Sequence, residues 1–338
     1  MASSYSNLHP VDQILTSLVV EAVPSDSQLI ANDIFETIKV PERSGTILLE
    51  ESRNFMGAGA GLDLERAPGA SRATIGGFDR SSQTFKAKIY AASDSIAMED
   101  IFDSQYPGSE EARIAKKVSR VMKLAKEVRA ADVLFDEAVN FAAQTEAVAA
   151  ANKFNAVGAE PLTFLDGIKD KVFKNAHGIN PDTMILGRDT FRALARNPEV
   201  RGYVQVGGAS TIGVAAGANQ ILSDEAVKSV LRDILGIPNI YVGQALRDTA
   251  VPGATSSESA IWTGSKIFMG ILRGADAIVQ KSGNVKGMPT AALNLEFGGM
   301  QAGQYDSLDS TRRYVYAEEV HDFKLIDASL GYVVTACV

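Results

Sequence analysis

From Ser109 to Gln144 the chain reads SEEARIAKKVSRVMKLAKEVRAADVLFDEAVNFAAQ, with no Gly and no Pro. Ser109 followed by Glu110 and Glu111 is a sound helix start, with acids in the first turn. About 36 residues at 1.5 Å each predict a helix of about 54 Å, far above the globular mean of about 11–12 residues. At 100° per residue Ile114, Val118, Val121, Met122, Ala125 and Val128 share one arc, and Arg113, Lys116, Lys117, Arg120 and Lys123 share the opposite arc. Seven basic residues and one acid, Glu127, fall between Arg113 and Arg129. Such a face is either solvated and paired with acids elsewhere in the chain, or a contact surface for a polyanion or an acidic patch on another subunit. No aromatic residue interleaves with it, which argues against base stacking.

This basic stripe sits in an acidic chain. The 338 residues carry a net charge of −8, a poor starting point for a dedicated nucleic-acid binder. With 46% hydrophobic residues the chain has material for a real core. It has no run of about 18 apolar residues for a membrane-spanning helix, and MASSYSNLHPVDQ lacks the pattern of a secretory signal. The single cysteine, Cys337, allows no internal disulfide and reads as a small apolar residue in a terminal strand. Assembly in a reducing cytoplasm is expected.

Upstream of the helix, residues 1–45 read as an arm that needs something to lie against. Thr46–Ser52 and Gln83–Ala92 read as the strands of a long hairpin. Its second strand alternates, with Phe85, Ala87 and Ile89 on one face and Lys86, Lys88 and Tyr90 on the other. Between the strands lie about thirty residues rich in Gly and Ala, NFMGAGAGLDLERAPGASRATIGG at their centre. The glycine alternation Gly57–Gly61 is no nucleotide fingerprint, because Pro68-Gly69 stops any following helix and no Gly-Lys-Ser/Thr is present. A loop this long is functional or it is not compact. Its mixed charge and aromatics (Arg53, Phe55, Asp63, Glu65, Arg66, Arg72, Phe78, Asp79 and Arg80) suit docking on a neighbouring subunit.

Downstream the pattern is mixed α/β. A short helix (Thr163–Asn175) precedes a strand (Thr183–Leu186), and VGGASTIGVAAGANQ reads as a surface loop. Ser223 caps a helix, Gly236-Ile237-Pro238 turns the chain, and Asn239–Val242 reads as a buried strand. SAIWTGSKIFMGIL holds one or two strands, and the β-branched C-terminus ends in another. Catalytic signatures are missing. His9, His177 and His321 have no ligand-spaced partners, and the alternation around His321 predicts a solvent-facing strand position. Glu50-Glu51 and Glu318-Glu319 read as surface acid pairs. No nucleophile elbow, zinc motif or calcium loop appears, so no cofactor and no enzyme activity is expected.

The order of arm, long charged hairpin, very long helix, α/β block and return strand resembles the major capsid proteins of tailed bacteriophages, the Hong Kong 97-type fold. INPDTMILGRDTFRALARNPEVRGYV (Ile179–Val204), LRDILGIPNIYVGQALRDT (Leu231–Thr249) and AIWTGSKIFMGIL (Ala260–Leu272) are similar to that family's segments, in order and spacing. The resemblance implies an α+β fold. Its parts are an N-terminal arm (1–45), an E-loop hairpin (46–92), a peripheral domain (93–160 and 306–338) with a spine helix over about 109–145, and an axial domain (161–305). It implies self-assembly into hexamers and pentamers of an icosahedral shell around double-stranded DNA, bound without sequence specificity. A portal and a decoration protein are implied partners. With arm and hairpin using all of the first 107 residues, a separate scaffolding protein is implied as well. The location implied is the virion, after assembly in the host cytoplasm. The hairpin tip has four Arg and no Lys, so no lysine cross-link from it is expected. An encapsulin-like compartment and, further off, a soluble α/β enzyme with residues 53–82 as substrate loop are the alternatives.

Overall fold

The computed structural model describes residues 28–50, 65–66, 68–69, 80–103, 107–156, 158–206, 223–251, 253–273, 278–279, 285–286 and 290–338. The tip of the predicted hairpin, the first 27 residues and the Gly/Ala-rich stretch 207–222 lie outside them.

Two five-stranded sheets organise the chain. The first has the order β1 (Thr37–Lys39), β13 (Ala292–Glu296), β15 (Arg312–Leu325), β14 (Gln301–Asp306), with β4 (Lys88–Ala97) also on β15. β15 is 14 residues long and serves as the spine of this sheet. It pairs antiparallel with β4 from Arg312↔Ala97 to His321↔Lys88, with β14 from Arg313 to Glu318, and with β13 from His321 to Leu325. The second sheet has the order β5 (Thr145–Ala147), β16 (Gly331–Thr335), β10 (Ile267–Gly270), β6 (Thr183–Gly187), β7 (Asn239–Gly243).

Sheet membership cuts across the order of the chain. β13 and β14, expected in the axial range 161–305, join the sheet of β4 and β15. β5 and β16, expected in the peripheral ranges, join the sheet of β6. Strand pairing between residues far apart in the chain leaves no local signature, so sequence position alone does not give sheet membership.

The second sheet is buried on both faces. Met184, Leu186, Ile267, Met269, Tyr332 and Val334 point into a core shared with four helices, α4 (Pro161–Asn175), α5 (Arg188–Arg196), α6 (Pro198–Val206) and α7 (Asp224–Leu235). Their neighbours Ile185, Phe268 and Val333 point the other way, toward Phe141 and Trp262. The strand period of two sends alternate residues to opposite faces, so a sheet covered twice needs unbroken apolar strands, as IFMG and TMILG are. Helix α7 begins as predicted, with the Ser223 hydroxyl accepting from Ala226 N at 3.3 Å, and ends at Gly236 in the left-handed region (φ 66°).

The long helix α3 spans Pro107–Leu134, 28 residues, and stops short of the expected end near 145. Side chains satisfy its last carbonyls. Asn140 Nδ2 donates to Val133 O at 2.9 Å, and Lys266 Nζ donates to Phe135 O at 3.1 Å. Asp136 Oδ1 accepts from the amides of Ala138 and Val139, which turns the chain and lets Phe141 enter the core. The residues after Leu134 favour helix by composition, and these tertiary contacts override that preference.

The helix also lies rotated from its expected position. Ala115, Val118, Ser119, Met122, Lys126, Glu127 and Ala130 are buried, while Val121 is 49% exposed. Ala115, Val118 and Met122 pack on Ala302, Val315 and Ala317 of the first sheet, whose small side chains bring the helix close. A hydrophobicity pattern misses this face because two of its positions are charged.

The hairpin stem forms as predicted. β2 (Ser44–Glu50) pairs antiparallel with β3 (Arg80–Lys86), from Ser44↔Lys86 to Glu50↔Arg80. The second predicted strand breaks at Ala87, which is fully buried, and β4 begins at Lys88. This interruption reverses the alternation. Ile89 is 37% exposed, while Tyr90 turns in beneath Arg129.

Candidate assembly surfaces

Of the residues assigned to hairpin docking, Arg53, Phe55, Asp63, Arg72, Phe78 and Asp79 lie outside the described residues. Glu65 and Arg66 are exposed, and Arg80 opens β3 across from Glu50. The foot of the stem is anchored. Ile47 and Phe85 pack against a small cluster of Ile38, Leu293, Leu295 and Ile326, and Gln83 Nε2 donates to Ile326 O at 2.8 Å. The stem therefore rises from a fixed base.

The basic residues of α3 divide along its length. Arg113, Lys116, Lys117 and Arg120 are exposed and Lys123 is half-buried. Lys117 Nζ meets Asp94 Oδ2 at 2.6 Å, and this hydrogen bond holds the Asp94 carboxyl below its usual range. At Lys117, then, the stripe pairs with an acid of its own chain. Beyond Lys123 the basic residues leave the surface.

Those buried charges are what sequence reasoning missed. Lys126 and Glu319 form an ion pair that is nearly closed to water, and His321 beside it is wholly buried, not solvent-facing. Arg129 lies 3.6 Å from the Tyr90 ring centroid and donates from Nε to His321 Nε2 at 3.2 Å. His321 thus accepts at Nε2 and is neutral, with Nδ1 3.6 Å from Glu319 Oε2. Burial, and then the charges of Lys126 and Arg129, push its pKa down to about 3. Next to Lys126 in α3, the Glu127 carboxylate receives three donors, Ile30 N at 3.0 Å, Ala31 N at 2.9 Å and Trp262 Nε1 at 2.5 Å. Burial raises its pKa despite them. Glu127 fastens three distant segments together, the entry of the N-terminal segment, α3, and the turn before β10. The one sequence signal was an isolated acid in a basic run.

One face of the first sheet is left open by the described residues. Ile89, Ala91, Ser93 and Ser95 of β4, Tyr314, Tyr316, Glu318 and Val320 of β15, and Gln301, Gly303 and Tyr305 of β14 share it by register. Tyr305 and Tyr314 stack with centroids 5.0 Å apart, and Tyr316 lies across Gly303. Ser93 and Ser95 opposite Tyr316 and Tyr314, with one acid among eleven positions, form a surface fit to be covered.

Among the described residues no cluster of three or more His, Cys, Asp or Glu could hold a metal, and no helix is long and apolar enough to cross a membrane. Cys337 is buried just past β16, its thiol pushed up to about 12 by burial.

No protein family matches the chain by sequence, and no curated protein does. Solved structures do. A phage-related protein from Bordetella bronchiseptica RB50 superposes with a TM-score of 0.67 at 17% identity, over 97% of this chain and 98% of its own. A virus-like particle from Pyrococcus furiosus matches with a TM-score of 0.54 at 10% identity, over 95% and 97%. The mature capsid of bacteriophage PhiM1 matches with a TM-score of 0.52 at 11% identity, over 90% and 86%. The chain has a mixed α+β fold of the kind found in phage capsid proteins.

Proposed function

We propose that this chain is the major capsid protein of a tailed phage, with the Hong Kong 97-type architecture. The observation that carries the reading is the end-to-end match, 97% of this chain on 98% of a phage-related protein, with capsid structures matching over nearly the same extent. A fold shared over whole chains supports a shared role better than a shared motif does.

In this reading residues 46–92 are the E-loop hairpin and α3 is the spine helix. The peripheral domain centres on β4, α3 and β13–β15, and the axial domain on β5–β7, β10, β16 and α4–α7. The hairpin residues Arg53, Phe55, Asp63, Glu65, Arg66, Arg72, Phe78, Asp79 and Arg80 dock on a neighbouring copy. The basic face of Arg113, Lys116, Lys117, Arg120 and Lys123 meets an acidic patch of another subunit. Copies assemble as hexamers and pentamers around double-stranded DNA, with a separate scaffold, a portal and a decoration protein as partners. The match to a virus-like particle favours, as second reading, a shell that is not a virion, such as a protein compartment.

Negative-stain electron microscopy of the purified protein, alone and with a co-expressed scaffold, tests this. Closed shells, or rings of five and six copies, are expected. Uniform particles of one to four copies under both conditions would overturn the reading. DNA-filled against protein-filled shells from infected or producing cells separates the two alternatives. Deleting Gly57–Ala73 is expected to leave the fold intact and abolish assembly, and normal particles from that variant would refute the docking role. Lys116→Glu with Arg120→Glu is expected to block assembly without lowering expression. Empty shells that fail only to fill would assign the stripe to DNA.

A further inference from the structure

Two surfaces at opposite ends of β4 complement each other. At the Lys88 end, the foot of the hairpin and the sheet form an open cleft of about 570 Å³, lined by Phe85, Lys86, Lys88, Asp322 and Lys324 among others. Three lysines against one aspartate leave it with net positive charge. Asp322 is in part occupied, since its Oδ2 accepts from the Lys86 amide at 3.3 Å. The Phe85 ring lies over Gly45, where a Cβ would approach it to 2.9 Å, so the cleft has an apolar wall beside its charges.

At the Ala97 end the chain enters the short helix α2 (Met98–Asp103, MEDIFD). This helix is fixed in place. Met98 N donates to Thr311 O at 2.9 Å, and Ile101 is buried. It presents Glu99 and Asp100, both exposed, and Phe102, which is 78% exposed. An aromatic this exposed on an anchored helix leaves apolar area in water that a contact with a partner would bury.

We infer that the Phe102 knob of one copy, with Glu99 and Asp100, seats in the Lys86–Lys88–Lys324 cleft of a second copy. The two surfaces cannot meet within one chain. Ten residues of β4 separate them, paired to β15 along the whole strand, which places them about 30 Å apart. A knob and a cleft at opposite ends of a rigid element join copies head to tail. Such heterologous contacts close into rings when the rotation allows. Opposite charges rim the contact and set its register, and Phe102 against Phe85 supplies its apolar centre. The inference rests on the shell reading above and adds to it a contact that involves neither the hairpin tip nor the basic helix face.

The test is charge reversal in the full chain, read as the fraction of protein in particles or rings. Lys86→Glu with Lys88→Glu, and separately Glu99→Lys with Asp100→Lys, are each expected to lower that fraction on the order of tenfold. Combining all four is expected to restore it. Particles from either reversed pair at the wild-type level, or no restoration in the combination, would overturn the contact. A mixture of Lys88→Cys chains with Asp100→Cys chains provides a check that does not depend on tolerance of reversed charge. An intermolecular disulfide between the two variants is expected, and its absence under oxidising conditions would also overturn the contact. Wild-type protein that forms neither particles nor rings, alone or with the co-expressed scaffold, fails the shell reading itself, whereas particles indifferent to the reversals fail this contact alone.

Discussion

The two five-stranded sheets are built to opposite rules. The sheet of β6, β7, β10, β16 and β5 is covered on both faces, and in three of its strands nearly every residue is buried. The sheet of β4, β13, β14, β15 and β1 is covered on one face by α3, and β15 alternates buried with half-buried residues along its length. One sheet is complete within its own chain. The other keeps a face of small residues and tyrosines, and meets α3 through charges, its own Glu319 with Lys126 and Arg129 of the helix. A subunit that assembles needs both kinds, a body that folds alone and a platform that is finished by neighbours.

The contrast predicts a graded set of effects on the unassembled chain. The largest belongs to the doubly covered sheet and its lid. Phe268→Ala should lower unfolding free energy by about 3–5 kcal/mol in urea titration, because Phe268 is wholly buried and meets Phe141 with centroids 5.4 Å apart. Trp262→Ala should cost about as much. The Trp262 side chain lies over Gly243, where a Cβ would meet it at 2.3 Å, and stacks edge-on to Phe135 at 5.2 Å. A loss under 1 kcal/mol at either position would break the distinction between the sheets.

Next comes Glu127, the joint between the two bodies. Glu127→Ala strands the amides of Ile30 and Ala31 and the indole N–H, and should cost about 2–4 kcal/mol. Glu127→Gln keeps one acceptor and the packing, and should cost about half of that. Limited proteolysis around residues 28–36 should accelerate in both, with α3 unaffected. Equal resistance in wild type and Glu127→Ala would show that the N-terminal segment is held by packing alone.

Much of the doubly covered body was legible in the sequence. β6 and β7 announce themselves as apolar runs, and α7 carries both its caps. The platform was less legible, for physical reasons. Lys126, Glu127 and Glu319 are charged residues at buried positions, acceptable only because partners 96 to 193 residues away in the chain satisfy them, as Glu319 does for Lys126. Burial of Glu319 and His321 likewise depends on α3, which the alternation of β15 cannot reveal. The change of alternation at Ala87 and the early end of α3 depend on particular contacts, Ala87 N to Arg43 O at 2.7 Å at the first and those of Asn140, Lys266 and Asp136 at the second. The order of the parts was visible throughout, while the docking surfaces assigned to the hairpin tip lie largely outside the described residues.

A pH titration sharpens the platform side. His321 is held neutral in the fold, with a pKa near 3 against an ordinary 6.5. The unfolded chain gains a proton as pH falls through 6.5 while the folded chain does not. Stability from this group is therefore complete above that pH and lost on acidification toward 3. Between pH 6.5 and 5 the loss should be about 1–2 kcal/mol. Glu127, with its raised pKa, works in the opposite sense, since the folded chain takes up its proton more readily. The informative quantity is thus the difference between wild type and His321→Gln, whose slope in this range should be flatter. Identical slopes would mean that water reaches the Lys126–Glu319–His321 group.

The smallest effect on the isolated chain should come from the open face, and it separates the two sheets most directly. Tyr305→Ala breaks the stack on Tyr314 but removes a side chain that is already half in water. About 1 kcal/mol of stability is the expected cost. If neighbours cover this face in the shell, the same substitution should reduce assembly far more than so small a loss explains. A stability loss above about 3 kcal/mol would show that the face is closed within the chain. Unchanged assembly would show that it remains open to solvent in the particle. Either result would remove the asymmetry between the two sheets, since the platform would then be finished by its own chain or never finished at all.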